Sequence, residues 1–322
     1  MPDPSPTSSR RGRLLRMGAA FVVLLALAGY LTVQYLTGGT GPGCKVVSAD
    51  GDGTSYEFTP EQAVNAATIA AVGTGRGMPE RAVTIALATA LQESGLRNIT
   101  HGDRDSLGLF QQRPSQGWGT PEEILDPTYA AGVFYQHLTK VHDYMQLPLT
   151  VAAQRVQHSG FPEAYAKHEQ DAVLLSAALT GRSAATLTCQ GRPDATPATG
   201  PDAVRAALLR DFGRVQDAGA EVGGRSTPTP TPSGTSDADA RTLTLPVSAG
   251  TGAGGGRSAL QRGWQLAHWA VANASALHIE QVSYAGREWT AGNTDSKWRA
   301  TDSDGANGSE RSTGAVRITT GR

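Results

Sequence analysis

Residues 90–98 read Ala-Leu-Gln-Glu-Ser-Gly-Leu-Arg-Asn, and residues 105–112 read Asp-Ser-Leu-Gly-Leu-Phe-Gln-Gln. The first run places a carboxylate, Glu93, at the end of an apolar, Ala-rich helix. Val83, Leu87, Ala90 and Leu91 recur at helical spacing, which predicts a helix from near Pro79 to about Leu96. Ala86, Ala90, Glu93 and Arg97 fall on one stripe of it. Two alanines beside a carboxylate leave room above it and wall it with apolar surface. Burial of that kind raises a carboxyl pKa, the property a general acid needs near neutral pH. On spacing alone, Glu93 and Arg97 are also an ordinary i, i+4 ion pair, worth about 0.3–0.5 kcal/mol.

The second run supplies a polar loop. Gly108 permits a close backbone approach. Gln111 and Gln112 carry donors and acceptors suited to acetamido and hydroxyl groups, and Trp118 offers a flat apolar face to a sugar ring. Asp103 and Asp105 read as turn formers beside Gly102. The alternative is that one of them holds a water across a cleft. His101, Asp103 and Asp105 match no defined metal loop, so no metal and no cofactor is expected.

Together, Gln92-Glu93-Ser94 and Ser106-Leu107-Gly108-Leu109-Phe110-Gln111 resemble the paired motifs of lytic transglycosylases, members of the lysozyme-like superfamily. The resemblance covers roughly residues 60–180. It implies that Glu93 is the single catalytic acid/base, that Ser94 orients the substrate, and that Gly108, Leu109 and Gln111 line the cleft. It also implies cleavage of the MurNAc–GlcNAc bond of peptidoglycan, with a 1,6-anhydromuramyl product. One departure stands out. The family carries a Tyr-Asn pair followed by Gly, where this chain reads Gln154-Arg155-Val156-Gln157-His158-Ser159-Gly160. Gln157 then takes the place of the asparagine, and Tyr165 is the tyrosine available to the cleft. The alternatives are a hydrolase using a second carboxylate and a non-catalytic scaffold that holds glycan strands.

Around these motifs, residues 44–190 read as one mainly α domain. Lys45–Val47 and Ser55–Phe58 flank Asp50-Gly51-Asp52-Gly53, a hairpin signal. Thr59-Pro60-Glu61-Gln62 opens a helix. Further helices are expected from near Thr128, over Thr150–Gln157 and over Pro162–Leu179. The chain has two cysteines, Cys44 and Cys189, which bracket this domain and are expected to pair. His137, His142, His158 and His168 read as surface or capping residues.

The N-terminal end sets the expected compartment. Residues 1–16 form a basic tail, with Arg10, Arg11, Arg13 and Arg16. Residues 17–36 are uncharged and, at about 1.5 Å per residue, would span roughly 30 Å as a transmembrane helix. The basic flank makes the N-terminus cytoplasmic and the remainder extracytoplasmic. A cleaved signal peptide is the rival reading.

Beyond the first domain, residues 191–257 read as a Pro/Gly-rich linker with one short helix around Val204, Ala207, Leu208 and Phe212. Residues 258–322 read as a small α+β module with a helix over Trp264–Leu277 and strands at Glu280–Tyr284, Arg287–Thr290 and Ala315–Thr319. Gly263–Ala267 through Trp289 resembles a small terminal module found on actinobacterial cell-wall peptidases. Relatives end in a His-rich strand that Gly314–Ile318 lacks, which argues against metal catalysis. Net charge is −1, so no nucleic-acid partner is implied. The expected partners are peptidoglycan strands and, through one span, the cell membrane. The sequence names no protein partner.

Overall fold

The first long helix begins where its chemistry says it should. Thr59 caps α1 (Pro60–Gly75): its hydroxyl accepts from the Gln62 N–H, and the Gln62 side chain accepts from the Thr59 N–H. Pro60 sits in the first turn, where its missing N–H costs nothing. This computed structural model describes residues 43–158, 162–191, 200–213, 241–248, 257–292, 297–301 and 314–321. Eight α-helices lie among them.

Ahead of α1, β1 (Cys44–Val47) and β2 (Ser55–Phe58) form the expected antiparallel hairpin. After it come α2 (Glu80–Ser94), α3 (Pro121–Ile124), α4 (Pro127–Leu138), α5 (Leu149–Gln157) and α6 (Glu169–Leu179). Pro162–His168, expected as the start of α6, is a separate 3-10 segment. Strand β3 (Leu187–Cys189) returns to pair with β1, giving a three-stranded sheet ordered β2-β1-β3. Cys44 lies opposite Cys189 in that pairing, and the two form a disulfide across 145 residues.

The rest of the chain continues with α7 (Pro201–Phe212), β4 (Thr242–Pro246), α8 (Ala259–Ala272), β5 (Ile279–Tyr284), β6 (Arg287–Thr290), β7 (Arg299–Ala300) and β8 (Ala315–Thr320). The strands form an antiparallel sheet ordered β4-β8-β5-β6-β7. Leu243, Ile318, Val282 and Trp289 line up across four of these strands and are all buried.

The expected fold class, a mainly α domain after a transmembrane helix and a separate small α+β domain beyond a linker, is corrected here. Among the described residues no helix is long and apolar enough to cross a membrane; the expected span at 17–36 lies outside them. Residues 42–322 group as one unit. The reason lies in α8. Gly263, Trp264, Gln265, Ala267, His268, Trp269, Ala270, Val271 and Ala272 are all buried, so the helix is covered nearly all round. Such a helix must be enclosed by two layers. One is its own sheet, through β5 and β8; the other is α1, α6 and β3.

Polar bonds run the same way. Trp289 and Trp298 donate their indole N–H groups to the Cys189 and Leu187 carbonyls at 3.0 and 2.9 Å. Asp211, on α7, is 1% exposed and accepts from Trp269 at 2.8 Å and from Thr68 at 3.2 Å. The stretch read as linker therefore contributes a helix, a strand and a buried carboxylate to the common core.

Candidate active site

Helix α2 stops one residue after Glu93. Gly95 adopts the left-handed conformation (φ 63°, ψ 38°), and the Leu96 N–H closes back onto the Ala90 carbonyl at 3.1 Å. A glycine at that position ends a helix without a Cβ penalty. Glu93 is left half-buried at the terminus. The Tyr165 hydroxyl donates to Glu93 Oε1 at 2.7 Å, and Tyr165 is fully buried. Gln157, the last residue of α5, lies against the same carboxyl. Its Nε2 donates to the Phe110 carbonyl at 2.7 Å, while its Oε1 is buried with no partner among the described residues. Burial pushes the Glu93 carboxyl above its ordinary value, and the hydrogen bonds of Tyr165 and Gln157 draw it part of the way back. None of these causes is a second carboxylate.

Three sequence-named residues thus meet: Glu93, Gln157 and Tyr165. The others are placed differently. Ser94 is buried, with its hydroxyl within reach of the Leu109 carbonyl at 2.8 Å and the Ala90 carbonyl at 3.1 Å. It ties α2 to the 107–112 turn. That turn is closed by paired backbone hydrogen bonds between Leu107 and Gln112, both 3.0 Å.

Gly108 has φ +73°, and a Cβ there would sit 2.7 Å from the Ile124 carbonyl oxygen. Its close approach is to the protein's own α3. Leu109 is fully buried, and Gln112, 1% exposed, donates to the Ala130 carbonyl at 3.1 Å. Gln111 folds over its own turn, donating to the Gly108 carbonyl at 3.2 Å. Trp118 stacks on His137, with ring centroids 4.2 Å apart and planes 23° from parallel. Ala86 and Ala90 are fully buried in the core.

Asp105 accepts from Arg113 and from the Ser115 N–H, each at 2.9 Å. The hydrogen bonds from Ser115, then that from Arg113, hold its carboxyl well below the ordinary range. It braces the loop as a fixed anion. Sequence reasoning missed one contact: the His168 ring lies 3.2 Å from Gln92 Oε1, fastening the 3-10 segment that carries Tyr165 beside α2. Gln92 was part of the quoted motif, but no local spacing links it to His168.

A family model, "VldE, C-terminal domain", matches residues 247–311. The match takes in α8, β5, β6 and β7, ends before β8, and covers less than half of the chain. Glu93, Gln157 and Tyr165 lie outside it. No curated protein matches the chain.

Proposed function

We propose that this chain cleaves peptidoglycan glycan strands, with Glu93 as the only acid/base. The observation that carries the reading is the Glu93 site itself: one carboxyl, raised by burial, held at 2.7 Å by the hydroxyl of fully buried Tyr165. The Gln157 amide nitrogen is committed to Phe110, and its buried oxygen is a free acceptor. Burial, the largest influence, favours the acid form, against the opposing hydrogen bonds of Tyr165 and Gln157. In the reaction, Glu93 gives its proton to the glycosidic oxygen of the departing sugar. The resulting carboxylate takes the proton of the muramyl 6-hydroxyl as that oxygen bonds to the anomeric carbon. The acid is regenerated and a 1,6-anhydro end is left. The internal hydroxyl outcompetes water through proximity. The Cys44–Cys189 disulfide supports an oxidising, extracytoplasmic setting.

A second reading is a glycan-binding scaffold. It is favoured by the framework duties of Ser94, Gly108, Leu109 and Gln112, which the fold needs whether or not Glu93 reacts.

Purified full-length protein incubated with wall sacculi decides between them. Anhydromuramyl products in the wild type, reduced on the order of 10²–10⁴-fold in Glu93→Gln, are the expected result. Reducing ends carrying labelled water oxygen mean a hydrolase instead. Retained wall binding without soluble product leaves the scaffold, and undiminished cleavage by Glu93→Gln removes Glu93 from the chemistry.

A further inference from the structure

The first turns of α1 and the turn after α8 enclose a second cleft. Pro60, Glu61, Val64 and Asn65 form one wall, Ser275 and Ala276 the other, and the space between them is about 230 Å³. Both walls are fixed from within. The α1 wall is held by the Thr59–Gln62 capping box. The side-chain amides of Gln62 and Asn65 also donate to the carbonyls of Gly95 and Leu96, both at 2.8 Å, where the helix carrying Glu93 ends. Opposite, the Leu277 N–H donates to the Asn273 carbonyl at 2.9 Å and the Ile279 N–H to the Ala274 carbonyl at 3.0 Å. These bonds lock the backbone of 275–276. Glu93, Gln157 and Tyr165 do not line this cleft.

Two of its polar groups are left short of partners. Ser275 is 3% exposed, and its Oγ is enclosed with no hydrogen bond among the described residues. Asn65 is 6% exposed; its Nδ2 is committed to Leu96, and its Oδ1 accepts nothing among the described residues. Buried polar groups without partners are costly, so a group that enters the cleft and bonds to them is stabilised. Ser275 has three staggered χ1 wells, and rotation between them lets its hydroxyl meet such a group. The exposed Glu61 adds a carboxylate at the rim. Pro60, Val64 and Ala276 supply apolar surface between these oxygens. Free acceptors beside apolar surface fit a ring with hydroxyl donors on its edge and C–H groups on its face. An ammonium group fits less well, because the amino end of α1 carries the positive pole of the helix dipole. The volume is below the roughly 300–1,000 Å³ of a pocket for a drug-sized ligand, so the cleft suits one sugar ring rather than a chain.

We propose that this cleft binds a single N-acetylhexosamine unit, at a site separate from Glu93. The choice of a wall sugar rests on the glycan reading above; the cleft and its unpartnered groups do not. Glu61 discriminates between the wall sugars. N-acetylglucosamine is neutral, whereas N-acetylmuramic acid brings a carboxylate that the Glu61 charge repels.

Titration of the full-length protein with N-acetylglucosamine, read from the methyl resonances of Val64, tests this. Saturable shifts of those methyls are expected, with N-acetylmuramic acid binding more weakly at neutral pH. Glu61→Gln should remove that difference. Ser275→Ala should weaken N-acetylglucosamine binding about threefold to tenfold, the loss of one hydrogen-bond partner. It should leave the free protein no less stable, because the hydroxyl has no protein partner to lose. Ala276→Leu, which fills the cleft, should abolish binding; if it fails to fold, the other two variants still decide. Glu93→Gln should bind the sugar like the wild type, so failure of the glycan reading and failure of this site stay distinguishable. No saturable shift at Val64, tighter binding of ethanolamine than of the sugar, or undiminished binding by Ser275→Ala overturns the proposal.

Discussion

At the scale of single residues, the carboxylate was named by its own helix, and Gln157 and Tyr165 only through the family resemblance, without the bond that joins Tyr165 to Glu93. Glu93 was legible because an apolar helix ending in Glu-Ser-Gly carries its own geometry: periodicity places the side chain and Gly95 stops the helix. Tyr165 is 72 residues away, and nothing local states that its hydroxyl reaches Glu93. The pairing depends on how the 3-10 segment packs against α2, and that is a tertiary fact. The bond gives a directional prediction. Tyr165 lowers the Glu93 pKa while burial raises it. Tyr165→Phe removes the lowering contribution and keeps the burial, so the pKa rises further. A general acid works while protonated, and activity falls as pH climbs through its pKa. The alkaline limb of the pH–rate profile should therefore move to higher pH in Tyr165→Phe, with a stability change of about 1 kcal/mol. An unmoved limb would show that Tyr165 only packs.

At the scale of elements, most helices and strands were legible because their signals are local. The Thr59 capping box, the Asp-Gly-Asp-Gly turn before β2 and the Asp126 cap ahead of α4 each act within a few residues. Strand β4 was not. Its Thr-Leu-Thr-Leu-Pro run is short and sits among Gly- and Pro-rich stretches. It is a strand because β8 offers it an edge, with Leu243 opposite Ile318.

Helix α8 was found but its role was misread. It was read as part of a small separate module, whereas the buried polar residues between its tryptophans, Gln265 and His268, mark two covered faces. His268 is the clearest case. It is fully buried, its Nδ1 lies 2.8 Å from the Ala178 carbonyl, and its Nε2 accepts the Thr186 N–H at 3.3 Å. Burial lowers its pKa from 6.5 to about 4, against the opposing pull of the Ala178 hydrogen bond. Between those values the unfolded chain binds the proton and the folded chain does not. Stability from this group is thus complete above pH 6.5 and is lost as pH falls towards 4, by up to about 3 kcal/mol. Denaturant unfolding at stepped pH should show that loss in the wild type. In His268→Gln, which has a donor and an acceptor but no titration, the slope should flatten. An unchanged slope would assign the acid sensitivity to other groups.

At the scale of the whole molecule, the boundary near residue 190 that composition invites is not a seam in the core. The carbonyls of Leu187 and Cys189 are bonded by tryptophans about a hundred residues further on. The Gly292 N–H donates to the Gln190 carbonyl at 2.7 Å, and Gln265 Nε2 donates to Thr74 at 2.6 Å. Composition could not show this, because the joining residues are scattered and the intervening stretches look like linker. A fragment ending at Gly191 would expose the faces of α1, α6 and β3 that α8 covers. It would also strip the paired strands β1 and β3 of Trp289 and Trp298. Loss of one large buried aromatic costs about 3–5 kcal/mol, and several at once exceed the 5–15 kcal/mol that hold a domain. Residues 43–191 expressed alone should therefore lack a cooperative thermal transition, even with Cys44 and Cys189 oxidised. Adding residues 257–322 as a separate chain should restore part of it. The disulfide alone will not rescue the fragment, because closing a long loop contributes at most about 5 kcal/mol and supplies none of the missing apolar surface. A fragment melting within a few degrees of the full chain would instead mean that the helical part carries its own complete core and that α8 merely rests on it.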